Sequence, residues 1–356
     1  MRFTGADIAC FAGGHPVFRH VARWLKPIFV RRPPLQLIMS AGRRIAALPL
    51  TTAAVQLTGT TVRDNLLNAQ LQFQTVLAAV KRFRPDGVGI IADVTIEAEA
   101  LGCKVKYPSN GVPWVVTHPV QTMADIASLK LPNPHADGRM PVTIQTVKLL
   151  SSYLGLAVGA GGMGPFTLAG HLAGVERVML GAVTEPEFVT KLVEFCAEAL
   201  YVYLMAQIEA GADVLIISEP TVSMLSPDHF DRFFGRYVKG VIERVNRPVT
   251  LHVCGDPSHL IESMCATGAA SISLDEPVDL PGIAPRVSPN IVISGNLDPV
   301  GVMVEGSPDT VRASVRELLE KMRPYPNFVL ATGCDLAPDT PLENIAALID
   351  TVKEFR

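Results

Sequence analysis

The stretch LHVCGD, residues 251–256, places His252 and Cys254 two positions apart at the end of an apolar run. On a strand, residues i and i+2 point to one face with Cα atoms about 6 to 7 Å apart, so an imidazole and a thiolate there can share one ion. A third soft donor, Cys334, follows another apolar run, FVLATG. Two thiolates and one imidazole suit Zn²⁺, and three protein ligands leave a position for a substrate. Glu219, at the end of VLIISE, is expected as a fourth, displaceable ligand. The same residues have a plainer reading, because buried cysteine is common in cores and a strand-end histidine is often only hydrogen-bonded. The third donor at an independent strand end is what favours the metal.

The ligand set constrains the reaction. Two thiolates donate charge to zinc and make it a poorer Lewis acid than a three-histidine site would. Such an ion can bind a substrate thiol and favour its thiolate while leaving the sulfur nucleophilic. Alkyl transfer to or from sulfur is therefore the expected chemistry. Hydride transfer uses the same ligand set in alcohol dehydrogenases, but the G-x-G-x-x-G dinucleotide fingerprint expected directly after the first strand of an open sheet is not found after AALPL (46–50).

Elements that position these residues are legible as apolar runs alternating with amphipathic segments. The runs are AALPL (46–50), GVGIIAD (87–93), LAVGAGG (156–162), VLIISEP (214–220), VTLHVC (249–254), SISLD (271–275), IVISGNL (291–297) and FVLATG (328–333). Eight strands with interleaved helices predict an α/β fold, a closed (β/α)8 TIM barrel over residues 46–356. Residues 1–45, with several arginines against the single acid Asp7, fit no barrel unit and are expected as an N-terminal arm or cap. Thr184 with Glu187 has capping-box spacing and Gly211 a stop, predicting a helix between them. Ser226 followed by Pro227 opens another, and Leu342, Ile345, Ile349 and Val352 mark the buried face of the last.

In a barrel, strand C-termini line the active site. Asp93 is expected there as a charged partner or as a cap of the following segment, and Asn296 in SGNLDP as a ligand-orienting amide or an Asx turn. The segment GMGPFTLAGH, with Gly164 and His171, is expected either to bring backbone amides to a cofactor or to make a plain strand-to-helix turn. Asp275 and Glu276 read as solvated acids ahead of Pro277. Cys103, Cys196 and Cys265 read as packing residues, and Cys10 has no assigned role.

Composition narrows the class. A chain of 356 residues, 48% hydrophobic and 18% charged, has material for a large core. The net charge of -3 and the absence of a long basic run exclude the surface that nucleic acid requires. Leu149–Val175 is long enough to span a bilayer, but glycines and Pro165 punctuate it as strand and turn, so a soluble protein is expected. Six scattered cysteines without a secretory signal point to reduced thiols and the cytoplasm.

Taken in order, IIADVTIEAEALGC, GPFTLAGHLAG, GADVLIISEPTVSMLSP, LHVCGD, ISLDE, SGNLDP and ATGCDLAPDTPLENI resemble the uroporphyrinogen decarboxylase superfamily. Within it they are most similar to the zinc-dependent cobamide methyltransferases typified by methylcobamide:coenzyme M methyltransferases. That resemblance covers residues 45–356 and implies a (β/α)8 barrel in which His252, Cys254 and Cys334 bind zinc. It further implies a corrinoid of methylcobalamin type, supplied by a partner protein docked over the barrel mouth, and a small methyl donor or acceptor such as a thiol. Related bacterial proteins run the transfer from a methylated substrate to the corrinoid, as in O-demethylation, so direction stays open. Uroporphyrinogen decarboxylase is the alternative. It needs no metal, its aspartate that contacts pyrrole nitrogens matches Asp93, and its arginine-rich signature has only MSAGRR (39–44) as a counterpart. A non-catalytic tetrapyrrole or corrinoid binder is the third reading.

Overall fold

The chain from residue 87 onward winds strand after strand into one parallel sheet. The computed structural model describes residues 44–45 and 52–355. Its strands are β1 (Gly87–Gly89), β2 (Ala157–Met163), β3 (Val214–Ser218), β4 (Val249–Val253), β5 (Ser271–Leu274), β6 (Val292–Leu297) and β7 (Phe328–Thr332). Every neighbouring pair is parallel and the order follows the sequence. This is the winding expected of a barrel sheet, while the predicted run AALPL and all of the predicted arm except Arg44 and Ile45 lie outside the described residues. Asp93 also sits beyond its strand, because β1 ends at Gly89.

Period-2 alternation explains both faces. Val158, Leu215, Ile217, Leu251, Val253, Ile272, Leu274, Ile293, Phe328 and Leu330 are all buried on the outer face, under the helices. The inner face carries Gly159, Gly161, Ser218, Thr250, Ser271, Ser273, Ser294 and Ala331 among the apolar Met163, Val214, Ile216, Val292 and Val329. Barrel interiors are ordinarily filled by Val, Ile and Leu, so the glycine and serine positions leave part of this inner face lightly filled. Ile216, in the middle of β3, is 37% exposed.

Helices cover the outer face, and one predicted boundary, at Thr184, differs from the sequence expectation. The long helix runs Pro186–Ala210, with Gly211 as its left-handed cap at φ 108°, as expected. Its predicted cap Thr184 instead ends a separate helix, Val175–Thr184, where its hydroxyl donates to Leu180 O at 3.1 Å. Pro186 at the first turn restarts the chain after that break. Ser226 does cap Pro227–Phe230, accepting from His229 N–H, and one π turn (Asp231–Gly235) joins that helix to Arg236–Val245. The last helix, Leu342–Glu354, buries Ile345, Ile349 and Val352. An antiparallel ribbon, Val105–Lys106 with Trp114–Val115, was not signalled by the pattern. The glycine-rich window at 149–175 divides into a helix end, β2 and the helix Pro165–Ala173. Among the described residues no helix is long and apolar enough to cross a membrane.

Candidate metal centre

The sheet must curl for its ligands to meet. His252 is on β4 and Cys334 follows β7, three strand spacings away, about 14 Å in a flat sheet. Yet the ligand atoms of His252, Cys254 and Cys334 all lie within 4.8 Å of one another. The inner face is therefore concave, and the three donors share its C-terminal rim.

Local structure fixes each donor. His252 Nδ1 lies 3.1 Å from Ser273 Oγ on the neighbouring strand, and Nε2 faces Cys254 Sγ at 3.2 Å. A hydrogen bond at Nδ1 leaves Nε2 as the ligand atom, the arrangement by which metal-binding histidines are usually oriented. Cys254 is followed by Gly255, whose φ of 74° turns the chain away after β4. Gly333 precedes Cys334, and a Cβ there would sit 2.5 Å from Glu276 N and 2.7 Å from Asp275 Oδ1. Only glycine lets β7 approach so closely and deliver Cys334 to the rim.

Asp275, read from sequence as solvated, holds the two cysteine turns together. Its Oδ2 accepts the Gly255 N–H at 2.9 Å, its Oδ1 accepts the Glu276 N–H at 2.8 Å, and Gly333 packs against it. Its position ending β5, between the ligand-bearing strands, was the signal that could have marked it. Asn296 does not make the local Asx turn, which belongs to Asp298, whose Oδ1 accepts the Val300 N–H at 2.8 Å; the Asn296 Nδ2 instead donates to Asp275 O at 3.0 Å and Val278 O at 2.6 Å and pins the turn after β5.

The thiols are electrostatically unequal. Hydrogen bonding from Cys254, and then from His252, holds Cys334 well below the ordinary thiol range. The Cys334 partner and burial hold Cys254 above it. A cation between the two sulfurs would stabilise both as thiolates. Three soft donors in one cluster, with an oriented imidazole, fit zinc.

Glu219, expected as a fourth ligand, has another task. Its Oε1 accepts the Thr167 N–H at 2.8 Å and the Thr167 hydroxyl, and Oε2 accepts the Phe166 N–H at 3.1 Å. It caps the helix that Gly164 introduces, and its oxygens are not in the cluster of mutually close donors. Burial pushes its carboxyl up to about 8. A Cβ on Gly164 would stand 2.2 Å from Glu219 Oε2, which explains the glycine without a ligand. His171, near the other end of this helix, sits beside His118, whose Nδ1 lies 2.8 Å from His171 O. Burial and then His118 depress the His171 ring to about 4.

Asp93 is engaged inside the protein. Its carboxylate pairs with Arg139 and accepts from Thr95 N at 2.8 Å, and its side chain is 4% exposed. Arg139 also binds Glu99 Oε2 at 2.7 Å and lies 4.7 Å over the Tyr107 ring. Arg139 was invisible in the sequence, because it stands in a turn-like stretch, PHADGRMP, far from Asp93. Cys103 and Cys196 are buried as expected, and Cys265 is half-buried.

Glu97 is a further buried acid beside this group, 1% exposed, with Oε1 accepting the Met163 N–H at 2.7 Å. Burial raises it from 4.5 to about 7. The folded state therefore keeps this proton when the unfolded chain has lost it. Stability falls as pH rises from about 4.5 to about 7 and stays lower above that. Glu97→Gln keeps the acceptor and removes the charge. Urea unfolding at pH 5 and pH 8 should show a smaller decline in the variant, by on the order of 3 kcal/mol.

Residues 20–355 match the family described as Uroporphyrinogen decarboxylase (URO-D). The methylcobamide:CoM methyltransferase MtbA of Methanosarcina mazei is 31% identical over 280 residues, covering 76% of this chain and 80% of its own length. A uroporphyrinogen decarboxylase of Prochlorococcus marinus is 28% identical over 342 residues, covering 92% and 95%. Among solved structures, a methyltransferase from Methanosarcina mazei superposes with a TM-score of 0.80 at 26% identity, covering 87% of this chain and 94% of the other.

Proposed function

The chain belongs to the uroporphyrinogen decarboxylase family, and from that premise we propose that it is a corrinoid-dependent methyltransferase with zinc held by His252, Cys254 and Cys334. The observation that carries this reading is the convergence of those three donors from two distant strands. The names of its methyltransferase relatives support a corrinoid as the other methyl carrier.

Bound zinc would lower the pKa of a substrate thiol and keep the sulfur nucleophilic. Toward that end Ser273 orients the His252 ring, and Asp275 with Gly333 holds the cysteine turns in register. In the direction of thiol methylation, the S–H would give up its proton to solvent and the sulfur would form a bond to the methyl carbon. The carbon–cobalt bond breaks with its electron pair left on cobalt. Demethylation of a donor is the same exchange reversed.

The decarboxylase reading matched Asp93 to an aspartate that contacts pyrrole nitrogens, and here that carboxylate pairs with Arg139 and accepts from Thr95 N. Zinc-loaded protein mixed with methylcobalamin and a panel of small thiols should convert the methylcobalamin spectrum to that of the demethylated cofactor with at least one thiol. It should form no coproporphyrinogen from uroporphyrinogen. No demethylation with any thiol, together with coproporphyrinogen formation, would reverse the assignment.

A further inference from the structure

The inner face just below the metal ligands is built as a small hydroxyl-lined recess. Strand register places Ser218, His252, Ser273 and Ser294 side by side on four consecutive strands, with the buried Met163 and Val329 flanking them on the next strand at either end. One step deeper, Ile216 and Thr250 are paired on the same face. Gly161 stands opposite Ile216 and contributes no side chain. The 37% exposure of Ile216, mid-strand, shows that this space is open rather than packed. Ser273 is used by His252, while Ser218 and Ser294 make no side-chain hydrogen bond to another described residue.

Charge in the recess is equally specific. Among the described residues on the inner face of β2 to β7, none is lysine or arginine. The nearby acids Glu219 and Asp275 are each held by two backbone N–H groups, Glu219 by the Thr167 hydroxyl as well. An anionic group pushed into this space would lose its hydration without meeting a counter-charge. A hydroxyl or ether would meet donors and acceptors of its own kind.

From this arrangement we propose that the recess below the metal ligands binds the methyl donor or acceptor, and that this substrate carries an uncharged hydroxyl or ether group rather than a sulfonate or carboxylate. The proposal rests on the methyl-transfer reading for the reaction, but the recess itself is read from the strand register.

Three thiols of equal length separate the cases: 2-mercaptoethanol, 2-mercaptoethanesulfonate and cysteamine. Titrated calorimetrically into the zinc-loaded full chain, 2-mercaptoethanol should bind at least about tenfold more tightly than either charged thiol. Ser294→Val, which fills the recess, should remove about tenfold of that affinity with zinc content unchanged. Ile216→Arg, which places a cation there, should shift the preference to the sulfonate. Equal or tighter binding of the sulfonate by the unaltered protein, or no binding of any of the three, overturns the proposal. Methylcobalamin demethylation followed in parallel keeps the two readings apart. Hydroxyl-thiol preference without demethylation contradicts the methyltransferase and supports the recess, whereas demethylation with the sulfonate preferred does the opposite.

Discussion

Cys334→Ala is expected to release zinc, lowering its affinity by at least about 100-fold and methyl transfer with it. The reason is geometric. His252 and Cys254 sit at i and i+2 of one strand and offer two donors, too few to hold zinc against solvent, and Cys334 is the donor that arrives from the opposite part of the curled sheet. The Cys334 side chain is only partly buried and follows a strand whose own residues are all buried, so the fold should survive. Metal analysis after dialysis, with circular dichroism as the control for folding, checks this. A Cys334→Ala protein that retains one zinc per chain and its activity would remove Cys334 from the site.

Arg139→Met is expected to have the largest effect on stability, a loss of about 3 to 5 kcal/mol. Arg139 is 4% exposed and serves Asp93 and Glu99 at once, with Thr95 and Tyr107 closing the group. Removing the guanidinium leaves two carboxylates together, one of them buried, with no cation to balance them. Burying an uncompensated charge costs far more than the pair contributed net. Asp93→Asn added to Arg139→Met should recover part of the loss, because it withdraws one of the stranded charges. Urea unfolding of the single and double variants measures both quantities as a double-mutant cycle. A loss under about 1 kcal/mol, the range of exposed ion pairs, would contradict the account.

How much of this was legible depends on the kind of signal each residue carries. Seven of the eight predicted strands appear within a residue or a few of their apolar runs, since alternation and length report burial directly. His252, Cys254 and Cys334 were visible because their side chains have metal chemistry and because strand ends are where barrel sites form. Glu219 has the same chemistry and the same kind of position, and only its actual partners, the Phe166 and Thr167 amides, assign it to a helix cap. Sequence spacing could not distinguish those tasks, because a carboxylate ligand and a carboxylate cap look alike until the neighbouring helix is placed. Asp275 was undervalued for the converse reason, as its role is to join two glycine turns that meet only in the folded sheet. Thr184 shows the limit of local motifs, since a capping-box spacing was overridden by the break before Pro186.

The central claim is that a single zinc ion is held by one imidazole and two thiolates and accepts a substrate sulfur. Zinc-edge X-ray absorption on the loaded full chain tests it most directly. The account predicts one nitrogen of imidazole type and two sulfurs near 2.3 Å, roughly the usual zinc–thiolate distance, and a third sulfur at about that distance once 2-mercaptoethanol is added. A first shell without two sulfurs, or one unchanged by saturating thiol, would contradict it.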